Sequence, residues 1–506
     1  MRRKFYCLLM MATLLCACAA NPAQEVVTSK NDGSFDANVI QSATESTVSD
    51  AEQTVSYNEV FTSTDGSVEF TMNVRENLSV SAVPVVEVEP HSLTGEDVHR
   101  VATALFGDAD FYEQGPLIGE KFSKSEIQRK LSFLTPYINI EKVKELYNVE
   151  VYGEASLDVV IEDTKEYVAF YTDQYETAPE ENPYGLCQWT FKSGAYYLYS
   201  EDDIAADGTN LYSYNEEINA RVQVNGVPYL ISASKRDQDD FKLNNIFVRI
   251  DSGLMPSTLE LDSFMAQLCS SEPTQDQLIS VTQKAEQLLS DMNLGDWHVD
   301  ECFVEISTGG LMLQDTYTIH VNAVPVINGI PAIRRGQLSN LKSDEVYASN
   351  YYLTDANFEF SANGDLIYFS MYSTIDVKEI INDNVATLSM DELLEKAKTH
   401  LTLSDRSNYG NSEDLLVSWD NYYGEPIICK VNICELEYGM TRVKVPNSDN
   451  SYYYVPSIIL SGTRSYYGKN SDTLYDTVIN EAYSDGISPL VAINAVDGSV
   501  IQLNNE

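Results

Sequence analysis

TQDQLISVTQKAEQLLSDMNLG, residues 274–295, sets the architecture of this 506-residue chain. Thr274 and Gln277 have the spacing of a capping box, in which each side chain satisfies the other's backbone N–H. Leu278, Val281, Ala285, Leu288 and Leu289 then recur at intervals of three and four, so the segment predicts an amphipathic helix, with Gly295 as its stop. Beyond Gly295 the period changes. Cys302 to Ile306 reads as a strand, Tyr317, Ile319 and Val321 share one face of another, and Phe358 and Phe360 lead through Asn363-Gly364 into Leu366 to Tyr372. A helix with one apolar stripe, succeeded by strands with one apolar face, implies helices packed on antiparallel sheets.

The same order returns downstream. Ser389-Met-Asp-Glu392 caps Leu393, Leu394, Ala397 and Leu401, and strands come after it at Leu415 to Trp419, Ile427 to Leu436, Met440 to Val445, Tyr452 to Leu460 and Pro489 to Ile493. The two units close on similar hairpins, FEFSANGDLI (358–367) and AINAVDGSVI (492–501). Shared order, more than shared residues, suggests a duplication in the C-terminal half.

Toward the N-terminus, Val68, Phe70, Met72 and Val74 alternate as a half-buried strand does, and Ser79 to Val88 carries Pro84, which suits an edge. Thr94-Gly-Glu-Asp97 and Ser123-Lys-Ser-Glu126 start helices, Pro136 interrupts the second, and Ile140 to Tyr147 reads as a third. From Val149 to about Ile250 the Tyr, Val and Ile content predicts strands, with a hairpin turn at Asn225-Gly226. The class is therefore α+β and multidomain, since 506 residues exceed what one core usually supports. The expected division is an N-terminal α+β domain at 56–265 and α+β units at 266–386 and 387–506.

The front of the chain is of another kind. Arg2, Arg3 and Lys4 precede an apolar run from Phe5 to Leu15, and Leu15-Cys16-Ala17-Cys18 closes it. This is the pattern of a secretory signal peptide, residues 1–17, ending in a lipobox with Cys18 as the lipidated residue. The run is too short for a membrane span, which needs about 20 residues. Residues 18–55 hold the lipidated cysteine and a polar tether without periodicity, read as disordered, whose 37 or so free residues span about 35 Å. The expected location is the extracytoplasmic face of the cell membrane, with two acyl chains as a stable anchor.

Two resemblances accompany these residues. The lipobox resembles that of bacterial lipoproteins in general, and the closing hairpins, over roughly 275–506, are similar to the end of PepSY-type helix-on-sheet modules. VPVVEVEPH (83–91), TGEDV (94–98), ALFGD (104–108) and FYE (111–113) resemble a family of uncharacterised lipoproteins of clostridial Gram-positive bacteria. The resemblance implies an extracytoplasmic α+β protein and brings no functional residues with it.

Charge narrows the partners. With 77 acidic and 32 basic residues the formal charge is −45, and loss of the signal removes three more positive charges. Such a field repels nucleic acid. The eight cysteines include three in the signal and anchor; Cys187, Cys269, Cys302, Cys429 and Cys434 are too scattered for a disulfide framework and read as small buried hydrophobes. His91, His99, His298, His320 and His400 have no zinc-helix spacing; His298-Val-Asp-Glu-Cys302 mixes ligand types but reads as a turn into a strand, and His91 and His99 flank a helix start where they could meet. Nucleophile elbow, phosphate loop and dinucleotide fingerprint are missing from the sequence. No catalytic, cofactor-binding or metal-ligating residue is therefore assigned, and Cys18 is the site residue the sequence supplies. Tyrosine clusters at Tyr196, Tyr197 and Tyr199, at Tyr422 and Tyr423, at Tyr452 to Tyr454 and at Tyr466 and Tyr467 are where a protein or glycan ligand would be sought.

The expectation is a membrane-anchored, non-catalytic binding or regulatory lipoprotein. The alternatives are a glycan- or peptidoglycan-acting hydrolase with a carboxylate pair, and a structural or adhesive surface protein. Lipidation is directly testable: the wild-type chain is expected to fractionate with membranes and carry the mass of its diacylglycerol, and Cys18→Ala to lose both. Unchanged fractionation and mass in the variant would refute the anchor.

Overall fold

The computed structural model describes residues 52–79, 83–115, 121–193, 216–238, 241–251, 257–307, 312–334, 354–404, 419–445, 451–478 and 487–501. Cys18, the tether up to residue 51 and Tyr196, Tyr197 and Tyr199 lie outside them, as does most of the strand expected at 415–419. The chain runs β1 (Glu52–Thr62), β2 (Val68–Ser79), β3 (Val85–Pro90), α1 (Gly95–Phe106) and β4 (Tyr112–Glu113). A helical stretch comes next: α2 (Lys124–Leu134), a 3-10 turn at Thr135–Ile138, α3 (Ile140–Leu146), α4 (Val149–Tyr152) and α5 (Glu154–Tyr175). Then come β5 (Lys192–Ser193), β6 (Glu216–Val224), β7 (Val227–Gln238), β8 (Phe241–Ile250), α6 (Ser257–Leu268) and α7 (Gln275–Met292). β9 (Trp297–Ser307), β10 (Thr316–Ile327), β11 (Ile330–Pro331), β12 (Asp355–Phe360), β13 (Leu366–Tyr372) and β14 (Ile375–Asn382) lead to α8 (Met390–Leu403). The last strands are β15 (Ile427–Lys444), β16 (Tyr452–Gly468), β17 (Leu474–Val478), β18 (Ser488–Asn494) and β19 (Val500–Ile501).

These elements form an α+β protein of two sheets. One is ordered β11-β10-β12-β13-β8-β7-β6-β4, with β9 on β10 and β5 on β6. The other is ordered β1-β2-β15-β16-β18-β19, with β3 and β17 also on β16 and β14 on β3. β16 is its spine. One edge pairs with β15 along its whole length, and the other is shared in succession by β3, β18 and β17. The sheets do not respect the expected boundaries at 265 and 386. β1 to β3 join the C-terminal sheet, and β4 to β8 continue the sheet built by β9 to β13. Edge pairing extends across any neighbour that offers a free strand, whatever its place in the chain.

The cores match the periodicities. Val98, Val101 and Ala102 of α1 and Val281, Ala285, Leu288 and Leu289 of α7 cover Ile231, Val248, Ile319, Val321, Phe358 and Phe369 of the first sheet. Leu393, Leu394, Ala397 and Leu401 of α8 cover Val68, Phe70, Met72, Val431, Ile458 and Ile493 of the second. Each large side chain so buried contributes about 1.5–3 kcal/mol. The capping boxes form at Thr94, Ser123, Thr274 and Ser389. Asn225-Gly226 makes its two-residue turn with φ of 51° and 85°, as a type I′ turn requires. The two closing turns also dock alike. Lys284 of α7 donates to the Gly364 carbonyl at 2.7 Å, and Gly498 lies against Lys396 of α8.

Several expectations are corrected. Residues 154–175 form a 22-residue helix, not strands. Leu157, Ile161, Thr164 and Tyr171 are buried along one side of it, so the spacing was helical and β-rich composition masked it. α7 ends at Asn293, in the left-handed conformation, two residues before Gly295. β3 is not an edge, because it pairs with both β14 and β16; Pro84 precedes it, so its missing N–H costs no ladder bond.

The sheets meet where the chain passes between them, from β3 into α1 and from β13 into β14. Buried Asn244 of β8 reaches both crossings. Its Oδ1 accepts from the Thr374 backbone N–H and hydroxyl, each at 2.8 Å, and its Nδ2 donates to the carbonyls of His91 at 2.8 Å and Thr374 at 3.2 Å. Val86, Val88, Met440 and Tyr454 of the second sheet form one buried cluster with Val324 and Ile327 of the first. Asn244→Ala strands several buried polar groups and is expected to cost about 2–4 kcal/mol, read as a lower urea midpoint; an unchanged midpoint would remove Asn244 from this role.

Candidate functional site

α2 is held by its capping box, with Ser123 and Glu126 satisfying each other's backbone N–H. Its inward face carries Ile127, Lys130 and Leu134, so a lysine occupies a place in the apolar stripe. The Lys130 and Glu260 side chains are each only 5% exposed, with Nζ and Oε2 3.6 Å apart. Arg129 also pairs with Glu260, which comes from α6. From the other side Arg221 of β6 pairs with Asp251 at 2.9 Å. The Phe122 ring lies between the two groups, 5.5 Å from Lys130 Nζ and 5.8 Å from Arg221 Cζ, and Tyr171 presents its ring to Lys130 at 5.7 Å.

This network floors a cavity of about 830 Å³, bounded also by Tyr112, Asn182 and Gln223. Exposed Asp110, Glu180 and Glu181 stand at the mouth, and Arg129, Lys130 and Arg221 lie within beside Glu126, Asp251 and Glu260. Burial pushes the Lys130 amine below the ordinary lysine range; the Glu260 carboxylate opposes the shift and Arg129 adds to it. The volume lies in the range of small-molecule sites. Sequence reasoning missed it. The available signal was Lys130 itself, a charge three residues after Ile127 and four before Leu134.

The residues singled out from the sequence disperse. His91 and His99 do not meet: His91 lies between Asp376, at 3.0 Å, and Asp97, at 3.3 Å, and His99 stacks on Trp189 at 4.8 Å. His298 to Cys302 lie within β9, not at a turn before it. Among the described residues no group of His, Cys, Asp and Glu gathers as metal ligands. The five cysteines are free thiols, and burial pushes Cys269 up to about 11 and Cys429 up to about 12. Tyr452, Tyr453, Tyr454 and Tyr466 are core residues. Tyr422 is exposed, and Tyr423 stacks on Tyr475 at 3.9 Å.

The described carboxylates on the face of the first sheet away from α1 and α7 form no glycosidase-like pair. Burial raises Glu217, Glu359 and Asp355, the last to about 6, all on the face of the first sheet away from α1 and α7. Asp355, Tyr372, Asn245, Ser234 and Glu217 are successive partners across five strands, so Asp355 and Glu217 are about 19 Å apart. Asp355 and Glu359, four residues apart on β12, are separated by about 13 Å, beyond the 5–9.5 Å or so that the reaction needs. Glu305 and Glu359 are nearer, but His320 fills the space between them, 2.8 Å from one and 4.0 Å from the other.

Neither a protein-family model nor a curated protein matches the chain. Among solved structures it is similar to an uncharacterized protein from Eubacterium rectale ATCC 33656, at 8% identity and a TM-score of 0.30, over 87% of this chain and 92% of that one. Among the described residues no helix is long and apolar enough to cross a membrane.

The lowered Lys130 amine has a consequence for stability. Between its folded and unfolded titration points the unfolded chain binds more protons, so this group costs stability at neutral pH and the cost fades as pH rises toward about 10.4. Lys130→Met, which leaves Arg129 on Glu260, is expected to raise the urea midpoint at pH 7 and to lose that gain by pH 10. A gain that grows with pH would contradict it.

Proposed function

We propose that this chain is a lipid-anchored, extracytoplasmic binding protein of the membrane surface, and that the cavity floored by Arg129, Lys130 and Arg221 holds its ligand. The observation that carries the reading is the burial of a five-charge network beneath an 830 Å³ concavity. Ionised groups are expensive to bury, and a fold that needed only stability is served as well by apolar residues there. A structural spacer has no use for such a concavity. The lipobox and tether read from the sequence support the location.

The test is a thermal-shift survey of the detergent-solubilised full chain with dicarboxylates, inorganic anions, neutral sugars and amino acids, run beside Ser125→Trp. Ser125 is exposed and lines the cavity, so the bulky ring narrows it without entering the core. At least one class is expected to raise the wild-type midpoint and leave the variant's unmoved. Equal shifts in both proteins, or none in the wild type, would overturn the reading.

A further inference from the structure

Lys130 stands apart from the other charges of the cavity floor. Among the described residues its Nζ makes no hydrogen bond: the Glu260 carboxylate lies at 3.6 Å, outside hydrogen-bond range, and the Phe122 and Tyr171 rings face it at 5.5 and 5.7 Å. Glu260 does not depend on this lysine, because Arg129 already pairs with it. The Lys130 side chain is 5% exposed, and it lines the cavity. Burial lowers its amine from the ordinary lysine range; Glu260 and Asp251 oppose the shift, and Arg129 and Arg221 add to it. A lysine so placed keeps more of its neutral form at neutral pH than one in water does, and the neutral amine has a lone pair to give.

We infer that Lys130 is a nucleophilic amine that takes a small aldehyde or ketone from the cavity as a Schiff base. This rests on the reading of the cavity as the ligand site, and it adds the class of ligand and the atom that holds it. Carbonyl compounds are the class that a primary amine captures reversibly without activation by another group. Phe122, Leu186 and Pro228 at the wall offer apolar surface to the rest of such a molecule. The nitrogen lone pair forms a bond to the carbonyl carbon as the C=O π pair moves to oxygen, and one N–H proton passes to that oxygen to give a carbinolamine. A proton from solvent then carries the hydroxyl off as water while the remaining nitrogen lone pair closes the C=N bond, leaving an iminium. The Glu260 carboxylate beside the nitrogen serves the iminium as counter-ion. Neither oxidant nor reductant is consumed, and water reverses the sequence.

Reductive trapping of the wild-type chain tests it. The full chain in detergent, in an amine-free buffer at pH 7, is treated with dilute butyraldehyde and cyanoborohydride, which reduces an iminium to a stable butyl-lysine; peptide mass mapping then gives the rate at each lysine. Lys165, on the exposed side of α5, is the reference. Lys130 is expected to label faster than Lys165, by about tenfold. A lysine buried for structure alone labels more slowly than an exposed one, so a rate at Lys130 equal to or below that at Lys165 overturns the inference. Ser125→Trp, which narrows the cavity, is expected to slow Lys130 and leave Lys165 unchanged; an undiminished rate at Lys130 in that variant means that the aldehyde does not arrive through the cavity, and overturns it as well. A survey ligand that Ser125→Trp excludes, with Lys130 labelling no faster than Lys165, leaves the cavity reading standing and removes the amine chemistry; a blank survey with the same labelling removes both.

Discussion

Two sheets woven from interleaved parts of one chain must be joined where the backbone leaves one for the other. At such crossings the backbone leaves the ladder, and its amide groups need partners from elsewhere. Asn244 supplies them. A single buried carboxamide uses both lone pairs of its oxygen and both hydrogens of its nitrogen on Thr374 and His91, the two points of passage. His91 adds a second tie, because its ring spans Asp376 of β14 and Asp97 of α1, one carboxylate on each side of the junction. The relative placement of the two sheets, and so of everything packed on them, depends on this satisfied seam.

A second constraint shapes the N-terminal helices. They shield the end of the first sheet near β4 and β6 and must bury whatever their inner faces carry. Most of that is apolar, as Ile127, Leu134, Val143, Leu157 and Ile161 attest. Lys130 and Glu260 are the departures. Each long polar side chain is lodged where a Leu would fit, and the pair is stitched to Arg129 on one flank and faces Arg221 and Asp251 across Phe122. A chain this acidic has few cations to spend. Three of them are set together on one floor, each against a carboxylate.

What could be read from the sequence depended on the range of the interaction. Capping boxes at Thr94, Ser123, Thr274 and Ser389, the alternation at Val68 to Val74 and the Asn-Gly turns are local, involving residues within a few positions, and they formed as read. The long helix at 154–175 is hard to read because its Val and Tyr content favours strands while its spacing is helical. The division at 265 and 386 did not become the division into sheets, since pairing of β2 with β15, or of β8 with β13, joins residues hundreds of positions or over a hundred positions apart. The candidate site was less legible still. Lys130 alone hinted at it, and nothing linear connects residues 129, 130, 221, 251 and 260.

By itself the amino-acid order determined the α+β class, the helix starts, the turns and the acidity, because each is written in neighbouring residues or in composition. Only the tertiary structure decided which strands share a sheet, that Asn244 closes the seam, and that three cations meet over two carboxylates beneath a cavity. The physical reason is that burial and pairing at long sequence separation are properties of packing: the same lysine is a solvated surface charge or a costly buried one according to what folds against it.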